Sequence, residues 1–306
     1  MASDSTVQLS QLTGARQTML SWAKVIESWE AVPEVYRNSF SMVVAEGSSL
    51  PYTVFAPSIV GWGRKTTEKL LCEVSDTIYV WECVGDKVAM AAYPLRTISD
   101  LEVGIILLYS WITIGGVTQA GTASSSTIEY DTAIARHFAP FVNRMRPAPR
   151  DMDEREQGVE LAKLNQLAAA SFKFGAYALE SLVGGDEIHQ ALWQPQIRKP
   201  VVKLGGRVLF QTTVSLQHVA ILTDRELIVI QDDARCRENR GIRYGGKWQY
   251  VALSHISGVS LLERAEDLLV LSLTLCPGGR QLEIIFAASR KQAVAQLQHE
   301  LEKLIG

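Results

Sequence analysis

Two kinds of hydrophobic spacing follow each other along the chain. Short apolar runs separated by Gly, Ser, Pro and Asp predict strands over residues 40–131 and again over 207–286. Apolar residues three and four positions apart predict helices over 9–29, 133–145, 159–183 and 289–305. The pattern indicates an α+β protein that is mainly β. The ten apolar residues 105–114 are too few for a membrane helix, which needs about 20, and they predict a pair of buried strands.

Turn and cap residues indicate where several helices begin and end. Asp131 or Thr132 can cap the helix over 133–145, and Pro140 should kink or restart it. The pair Gly184–Gly185 is typical of a helix end. Ser289 and Gln292 form a predicted capping box for the last helix.

The most polar stretch of the chain, residues 146–158, indicates a domain boundary. It contains two prolines and seven charged residues and has almost no apolar side chain. We therefore expect a first domain over 1–147 that includes the N-terminal helix, a linker over 148–158, and a second domain over 159–306 that begins with a helix. Small and apolar residues on that helix could form an assembly surface.

An internal repeat relates the two halves at an offset of 158 residues. The segment PLRTISDLEV at 94–103 matches ALSHISGVSL at 252–261 in Leu, Ile and Ser at the same places. In both halves strands precede a terminal helix. A fixed offset of this kind indicates duplicated structural units, each folded around its own helix.

The second half resembles the bacterial pleckstrin-homology-like (PH-like) domain. The resemblance lies in ILTDRELIVI, YVALSHISGVSL, the PGG turn, LEIIF and the final helix, and the first half resembles a more divergent copy. Together the two resemblances cover roughly residues 65–147 and 200–305. They imply two tandem bent antiparallel barrels of seven strands, each closed by a C-terminal helix. They imply binding rather than catalysis.

Composition and cysteine usage narrow the class of protein. The formal net charge of −3 argues against a surface built for nucleic acid, so no nucleic-acid partner is expected. The N-terminal residues do not have the pattern of a secretory signal. The cysteines are scattered without a CxxC pair, which fits free thiols in a reducing cytoplasm. The four are Cys72, Cys83, Cys236 and Cys276, of which Cys72 and Cys83 are expected to face each other across a hairpin near Asp76.

No catalytic or metal-binding motif is visible in the sequence. The segment GWGRKTT at 61–67 lacks the spacing of a phosphate-binding loop and predicts a surface hairpin or loop. His218 and His255 fall in strand patterns and are expected to be structural. Asp232 and Asp233 fit a solvated turn. We predict that the protein is not an enzyme, with no catalytic residue, metal or cofactor.

One basic cluster is the candidate binding site. It falls between two predicted strands, with glycines that favour a long loop. Arginine forks match phosphate and carboxylate oxygens, and Tyr244 and Trp248 could stack on a ligand; an ordinary exposed loop is the alternative. The candidate anion- or partner-binding residues are Arg235, Arg237, Arg240, Arg243, Lys247 and Trp248.

Three hypotheses remain open from the sequence. The first is a non-catalytic binding or scaffold protein whose loops and sheet edges contact a protein partner or a second copy of the chain. The second is a peripheral binder of anionic lipid headgroups, or of other anionic ligands, through the loop 235–247. The third is an enzyme with a site assembled from distant residues.

Overall fold

The computed structural model describes residues 22–61, 64–85, 87–151, 154–204, 207–236, 238–239, 242–264 and 267–306. The protein is mainly β, as expected, and the strand pairs in this part of the chain are antiparallel. The predicted strands at 105–114 form one hairpin, whose tip at Leu107 and Leu108 is exposed rather than buried. No helix in the described ranges is long and apolar enough to cross a bilayer.

The described part of the first half contains ten strands and two helices. A five-stranded sheet has the order β1-β2-β5-β6-β7, and β3 and β4 form a small hairpin within the 61–67 segment, of which 62 and 63 lie outside the described residues. The strands are β1 (Lys24–Ile26), β2 (Thr53–Ala56), β3 (Val60–Gly61), β4 (Arg64–Lys65), β5 (Lys69–Val74), β6 (Thr77–Val84), β7 (Lys87–Pro94), β8 (Ile98–Ile106), β9 (Tyr109–Val117) and β10 (Ala123–Asp131). The helices are α1 (Glu34–Phe40) and α2 (Ala139–Met145).

The second half begins with two helices and ends with one. Between them lie four strands of one sheet, two hairpins and a three-stranded sheet. The helices are α3 (Glu154–Ala170), α4 (Phe172–Ser181) and α5 (Lys291–Ile305). The strands are β11 (Ile188–Gln194), β12 (Ile197–Leu204), β13 (Arg207–Ser215), β14 (His218–Thr223), β15 (Glu226–Gln231), β16 (Glu238–Asn239), β17 (Ile242–Arg243), β18 (Gly246–Ala252), β19 (Ile256–Arg264), β20 (Leu268–Leu275) and β21 (Arg280–Ala287).

The same order of elements recurs in the two halves, and the local backbone recurs with it. A 3-10 turn over Leu95–Thr97 precedes β8, and one over Leu253–His255 precedes β19, at the offset of 158 residues that the sequence repeat predicts. Both following strands have nine residues and shift register after their first residue. The amide that opens each turn donates to the carbonyl of a distant hairpin, at Asp76 in one half and Arg225 in the other, both at 2.8 Å.

One ladder joins the halves into a continuous sheet. Strand β8 of the first half pairs with β18 of the second, from Tyr250↔Leu101 to Gly246↔Ile105. The resulting seven-stranded sheet has the order β10-β9-β8-β18-β15-β14-β11. Backbone hydrogen bonding therefore runs without a break from one half to the other.

The hydrophobic interior is distributed unequally between the halves. The second half has a cluster of its own, in which Val294, Leu297 and Leu301 of α5 pack against β19 and β20. Burying each of these side chains contributes about 1.5–3 kcal/mol. The first-half cluster, which includes Phe138 and Phe141, continues through α3 and α4 onto the outer face of β14 and β15. Each half therefore has a cluster of its own, around Phe40 and Trp81 in the first half and around α5 in the second, and a third cluster spans both. The division into two domains stays a prediction.

The N-terminal region differs from the predicted elements. Residues 1–21 of the expected helix over 9–29 lie outside the described residues, and its remainder forms β1 and a 3-10 turn over Trp29–Ala31. The strand expected from residue 40 is also wrong, because helix α1 ends there. Tyr36 and Phe40 of α1 pack on Leu70 and Trp81, on the outer face of the first sheet. Of the residues with this spacing that the structure describes, Ile26 and Trp29 belong to the same apolar cluster as α1.

All seven strands expected in the second half are present among the described residues, including the one at 207–214, which is β13. Strand β13 forms the hairpin β12–β13 and is not part of the seven-stranded sheet. The edge strand of that sheet in the second half is β11, which was not predicted from the sequence. This hairpin lies between the sheet strands β11 and β14, and in the first half the shorter hairpin β3–β4 lies between the sheet strands β2 and β5. Strand β11 has the sequence IHQALWQ, in which the adjacent polar residues His189 and Gln190 break the alternation that is typical of a strand.

Helix boundaries were predicted with mixed success. The carboxylate of Asp131 accepts from the Ala133 amide at 2.8 Å, and α2 restarts at Pro140, as expected. The Ser289–Gln292 capping box is wrong, because the N-cap of α5 is Arg290 without a side-chain bond. The expected helix 159–183 is broken at Ser171, where φ is −155°.

The small-residue seam predicted on this helix packs within the chain. Helices α3 and α4 fold against each other, and a Cβ added at Gly175 would lie 2.6 Å from the Cα of Ala168. The seam is therefore internal packing and not the assembly surface that we expected.

The cysteines are free, but two of them do not face each other. Cys72 pairs with Tyr79 across the hairpin, and Cys83 pairs with Val88 on the next strand. Burial raises the pKa of the Cys72 thiol to about 12, so this sulfur is held as an unreactive thiol.

Buried ion pairs hold the segment after α2 against the second half. Arg146 pairs with Glu226, and the two side chains are only 9% and 1% exposed. The same guanidinium donates to the Ser181 carbonyl at 2.6 Å and lies 3.8 Å from the centre of the Tyr250 ring. Arg225 likewise pairs with the buried Asp186. Arg225 also donates to the Ala148 carbonyl, and the Arg150 amide donates to the Gly184 carbonyl at 2.8 Å, so the predicted linker is fixed along part of its length.

Removing Arg146 should destabilise the protein strongly. Arg146→Ala leaves the Glu226 carboxylate buried without its partner, and we expect the free energy of unfolding to fall by about 3–5 kcal/mol. Arg150→Ala is the matched control, because its pair with Asp224 is exposed and should contribute less than about 1 kcal/mol. Urea unfolding measures both changes, and equal losses for the two variants would contradict the assignment.

Candidate functional site

The predicted basic cluster lies in the loop and short hairpin between β15 and β18. Arg237 and Arg240 lie outside the described residues. Arg235, Arg243, Lys247 and Trp248 are described, and they lie where the two halves meet. The structure therefore shows the surroundings of four of the six candidate residues.

Arg235 connects its loop to the first half. Its guanidinium makes a forked pair with Asp233, with Nε–Oδ1 and Nη2–Oδ2 both at 2.9 Å. It also stacks 4.0 Å from the centre of the Trp111 ring on β9. Burial alone would raise the pKa of Asp233, but the Arg235 bonds outweigh it and lower that pKa. Arg235 is thus committed to an internal pair and an aromatic contact.

Lys247 and Trp111 share one carboxylate on β8. Lys247 Nζ lies 3.2 Å from Glu102 Oε2, and the Trp111 indole donates to Glu102 Oε1 at 2.8 Å. The indole covers Gly104, where an added Cβ would lie 1.9 Å from a ring atom. Glycine is therefore required beneath the ring that supports Arg235.

Trp248 and Arg243 are held within the structure in different ways. Trp248 is buried, and its ring lies 4.8 Å from that of Tyr177 on α4. Its expected contact with a ligand is not supported by this position. Arg243 donates from Nη1 to the Cys236 carbonyl at 2.5 Å. Lys173 of α4 donates to the carbonyls of Arg243 and Gly245, which fixes this end of the loop.

A buried carboxylate that the sequence reading missed lies beside the junction. Asp100 on β8 is 2% exposed, and Arg280 Nη1 contacts its two oxygens at 3.0 and 2.8 Å. Gln249 of β18 donates to the same carboxylate at 3.3 Å. In the internal repeat, Asp100 is aligned with Gly258. The second half therefore has no acidic residue at the equivalent position, and the repeat did not indicate a role for Asp100.

An open cleft of about 510 Å³ lies next to this junction, within the second half. Alternate residues of two paired strands form its floor. They are Val229 and Gln231 of β15 and Lys247 and Gln249 of β18. Alternate residues share one face of a sheet. Consecutive residues, 213–216 and 282–285, line its two sides. A cleft of this size is typical of ligand sites.

His218 is a buried polar residue of the cleft lining. Its Nδ1 lies 3.0 Å from the Leu216 carbonyl, and its Nε2 has no hydrogen-bond partner in the described structure. Burial lowers the pKa of the imidazole, against a smaller opposing effect of the Leu216 carbonyl. The neutral ring then donates from Nδ1, so Nε2 is an acceptor. The sequence predicted a structural role for His218. It could not indicate that Nε2 lacks a hydrogen-bond partner, because this depends on the folded surroundings of the ring.

Within the described ranges, no three His, Cys, Asp or Glu side chains group as metal ligands. Asp232 and Asp233 instead pair with Lys173 and Arg235. These two carboxylates are therefore partly buried ion-pair partners and not the solvated turn that we expected.

Family models and curated proteins were compared with the chain. No family model matches the chain, and no curated protein matches it. The resemblance to PH-like domains therefore stays a prediction that rests on residue patterns.

The imidazole of His218 should make stability depend on pH. Its pKa is lowered in the folded protein, so the unfolded chain, with a pKa of about 6.5, binds more protons just below that pH. The stabilisation is therefore complete above pH ~6.5 and is lost as the pH falls below it. We expect His218→Gln to reduce this dependence.

Urea unfolding between pH 5 and 8 measures the effect. His299→Gln, at an exposed position on α5, serves as the control. His255, whose pKa burial also lowers, keeps part of the dependence in both variants. Identical pH profiles for wild type and His218→Gln would show that this imidazole is not held neutral.

Proposed function

We propose that the chain is a non-catalytic binding protein of the bacterial PH-like type, built from two tandem units, that holds a protein partner along its open strand edges. The repeated turn, register shift and terminal helix support the tandem arrangement. The four free cysteines fit action in the cytoplasm. A second copy of the chain is one possible partner.

The observation that carries this proposal is a pair of open edges at equivalent places. Strand β10 ends the long sheet in the first half, and β21 ends the three-stranded sheet in the second. Neither has a second neighbouring strand in the described part of the chain. An unpaired edge offers its backbone groups to another strand, and extended peptides bind proteins in this way.

The alternation of backbone bonds identifies the outward residues of β10. The amide of Thr132 donates to the Leu108 carbonyl at 3.0 Å. Because bonded and non-bonded pairs alternate in an antiparallel ladder, Ser125, Thr127 and Glu129 direct their backbone groups away from β9. Proline at one of these positions removes an outward amide and keeps the ladder.

Blocking both edges should abolish partner binding. We would immobilise the wild-type chain and the double variant Ser125→Pro, Ile285→Pro, capture proteins from the native cell, and then repeat the binding with the purified partner. We expect affinity to fall at least about tenfold in the double variant, with circular dichroism unchanged.

Light scattering at tens of micromolar tests self-association of the same two proteins. The proposal is wrong if the wild type does not self-associate and also captures no protein that binds it more tightly than it binds the double variant.

A second candidate function is contact with an anionic lipid surface, which a group of exposed apolar side chains favours. Leu107 and Leu108 are 68% and 71% exposed at the β8–β9 tip, and Tyr244 is 61% exposed in the neighbouring loop. Phe172, which is 85% exposed, begins α4 beside Lys173, the residue that contacts that loop. These four residues, together with the arginines nearby, would combine apolar insertion with attraction to anionic headgroups.

Liposome flotation tests the lipid candidate. Vesicles with anionic phospholipid should float the wild type at low salt, whereas Leu107→Asp with Leu108→Asp should remove binding because the charged tip cannot enter the bilayer. Met42→Asp, at a site 74% exposed elsewhere, is the control. Absence of flotation for the wild type, or equal flotation for all three proteins, rejects this function.

A further inference from the structure

We propose that the cleft between β13 and β21 binds an extended peptide segment that carries an acidic side chain. This inference rests on the proposed function, since it assigns that function to one site and one class of ligand. It does not involve the exposed tip at Leu107 and Leu108.

The sides of the cleft are strand edges. Side chains alternate between the two faces of a strand, so one face would line the cleft with every second residue. Because consecutive residues line each side, we infer that the backbone edge of the strand faces the cleft. Strand β13 pairs with β12 and β21 pairs with β20, and neither has a second neighbouring strand among the described residues. Two open edges thus border the same space. Three residues of β13 and four residues of β21 line it, which correspond to about 10 Å and about 13 Å of strand.

The hydrogen-bond alternation shows which residues of β21 face outward. The Ala288 amide donates to the Asp267 carbonyl at 2.8 Å, which places Ala287 in a pair that is not bonded to β20. The Ala287 amide indeed donates away from β20, to Gln194 Oε1 at 3.0 Å. By the same alternation, Glu283 and Ile285 direct their amides and carbonyls outward, at the side of the cleft. They are available to pair with an added strand.

His218 is one of the residues that line the same cleft. The vacant Nε2 is buried, and it lies on the side of the ring opposite the Nδ1 that faces the Leu216 carbonyl. A buried acceptor without a hydrogen-bond partner destabilises the folded chain, and a donor from a bound peptide would remove that destabilisation. The site therefore favours a ligand with an N–H or O–H group at this point.

The charges of the lining favour an acidic side chain. Arg243 and Lys247 line one end, beside β18, and Glu283 is the acidic side chain in the described lining. Lys247 also pairs with Glu102 at 3.2 Å, which partly offsets its charge. Glu283 pairs with Arg264 at 2.7 Å, which offsets its charge. An aspartate or glutamate of the peptide would thus lie near two cations, whereas Val229, Leu282 and Ile284 would contact apolar side chains.

Selection from a library of random linear decapeptides on the full-length chain tests the site. Fluorescence anisotropy then measures each selected peptide against wild type and variants. Ile285→Pro should weaken binding at least about tenfold, because it removes an outward amide and keeps the pairing with β20. Ile285→Ala keeps that amide and should weaken binding much less, and Ser125→Pro on β10 should have no effect.

Two further readouts distinguish peptide pairing from a general loss of structure. Replacing the acidic residue of the peptide by its amide should weaken binding to the wild type several-fold, and Lys247→Met should remove that difference. The ¹⁵N resonance of His218 Nε2 should shift on binding as it gains a donor.

The outcomes separate this inference from the proposed function. If no decapeptide binds, or if Ile285→Pro and Ile285→Ala behave alike, the cleft is not a peptide site. If Ser125→Pro alone abolishes binding, the inference fails while edge binding stands. If the purified partner of the capture experiment binds the double-edge variant as well as the wild type, both proposals fail.

Discussion

The ladder between β8 and β18 is the interaction on which the rest of the structure depends. It makes one sheet of strands that lie far apart in the chain, and it orients the two halves by backbone hydrogen bonds rather than by side chains alone. The carboxylates of Asp100 and Glu102 meet Gln249 and Lys247 because these residues share one face across the ladder. The loop that carries Arg235 is in turn held by Trp111, one strand further on. The geometry of the candidate site is therefore a consequence of this pairing.

The basic loop shows how charge in a sequence can differ from charge available at a surface. Five cations within thirteen residues indicate an anion site when they are read alone. In the folded chain Arg235 and Lys247 each have a carboxylate partner, and Glu102, the partner of Lys247, belongs to a strand about 145 residues away. A guanidinium with such a partner attracts an external anion less strongly than an unpaired one. The cleft, with its vacant acceptor and open edges, has the more specific arrangement.

The elements that a single segment encodes were predicted well from the sequence. The hairpin at Asp76, the Asp131 cap and the repeat offset all depend on local turn chemistry or on a pattern that is present twice. Features that depend on distant partners were missed. Strand β11 has a weak local pattern and is strengthened by β14 and by α3. The role of Asp100 requires Arg280, 180 residues later, and the cleft requires two edges from separate hairpins.

The sheet that joins the halves has a consequence for synthesis of the chain. Strand β8 ends at Ile106, and its partner β18 begins at Gly246, so about 140 residues must be translated before the pair can form. At roughly 5–20 residues per second this interval is on the order of ten seconds. During that time an apolar strand edge projects from the nascent polypeptide, where other unfinished chains on the same messenger can reach it. Ribosome-associated chaperones that shield such an edge would therefore raise the yield of native molecules.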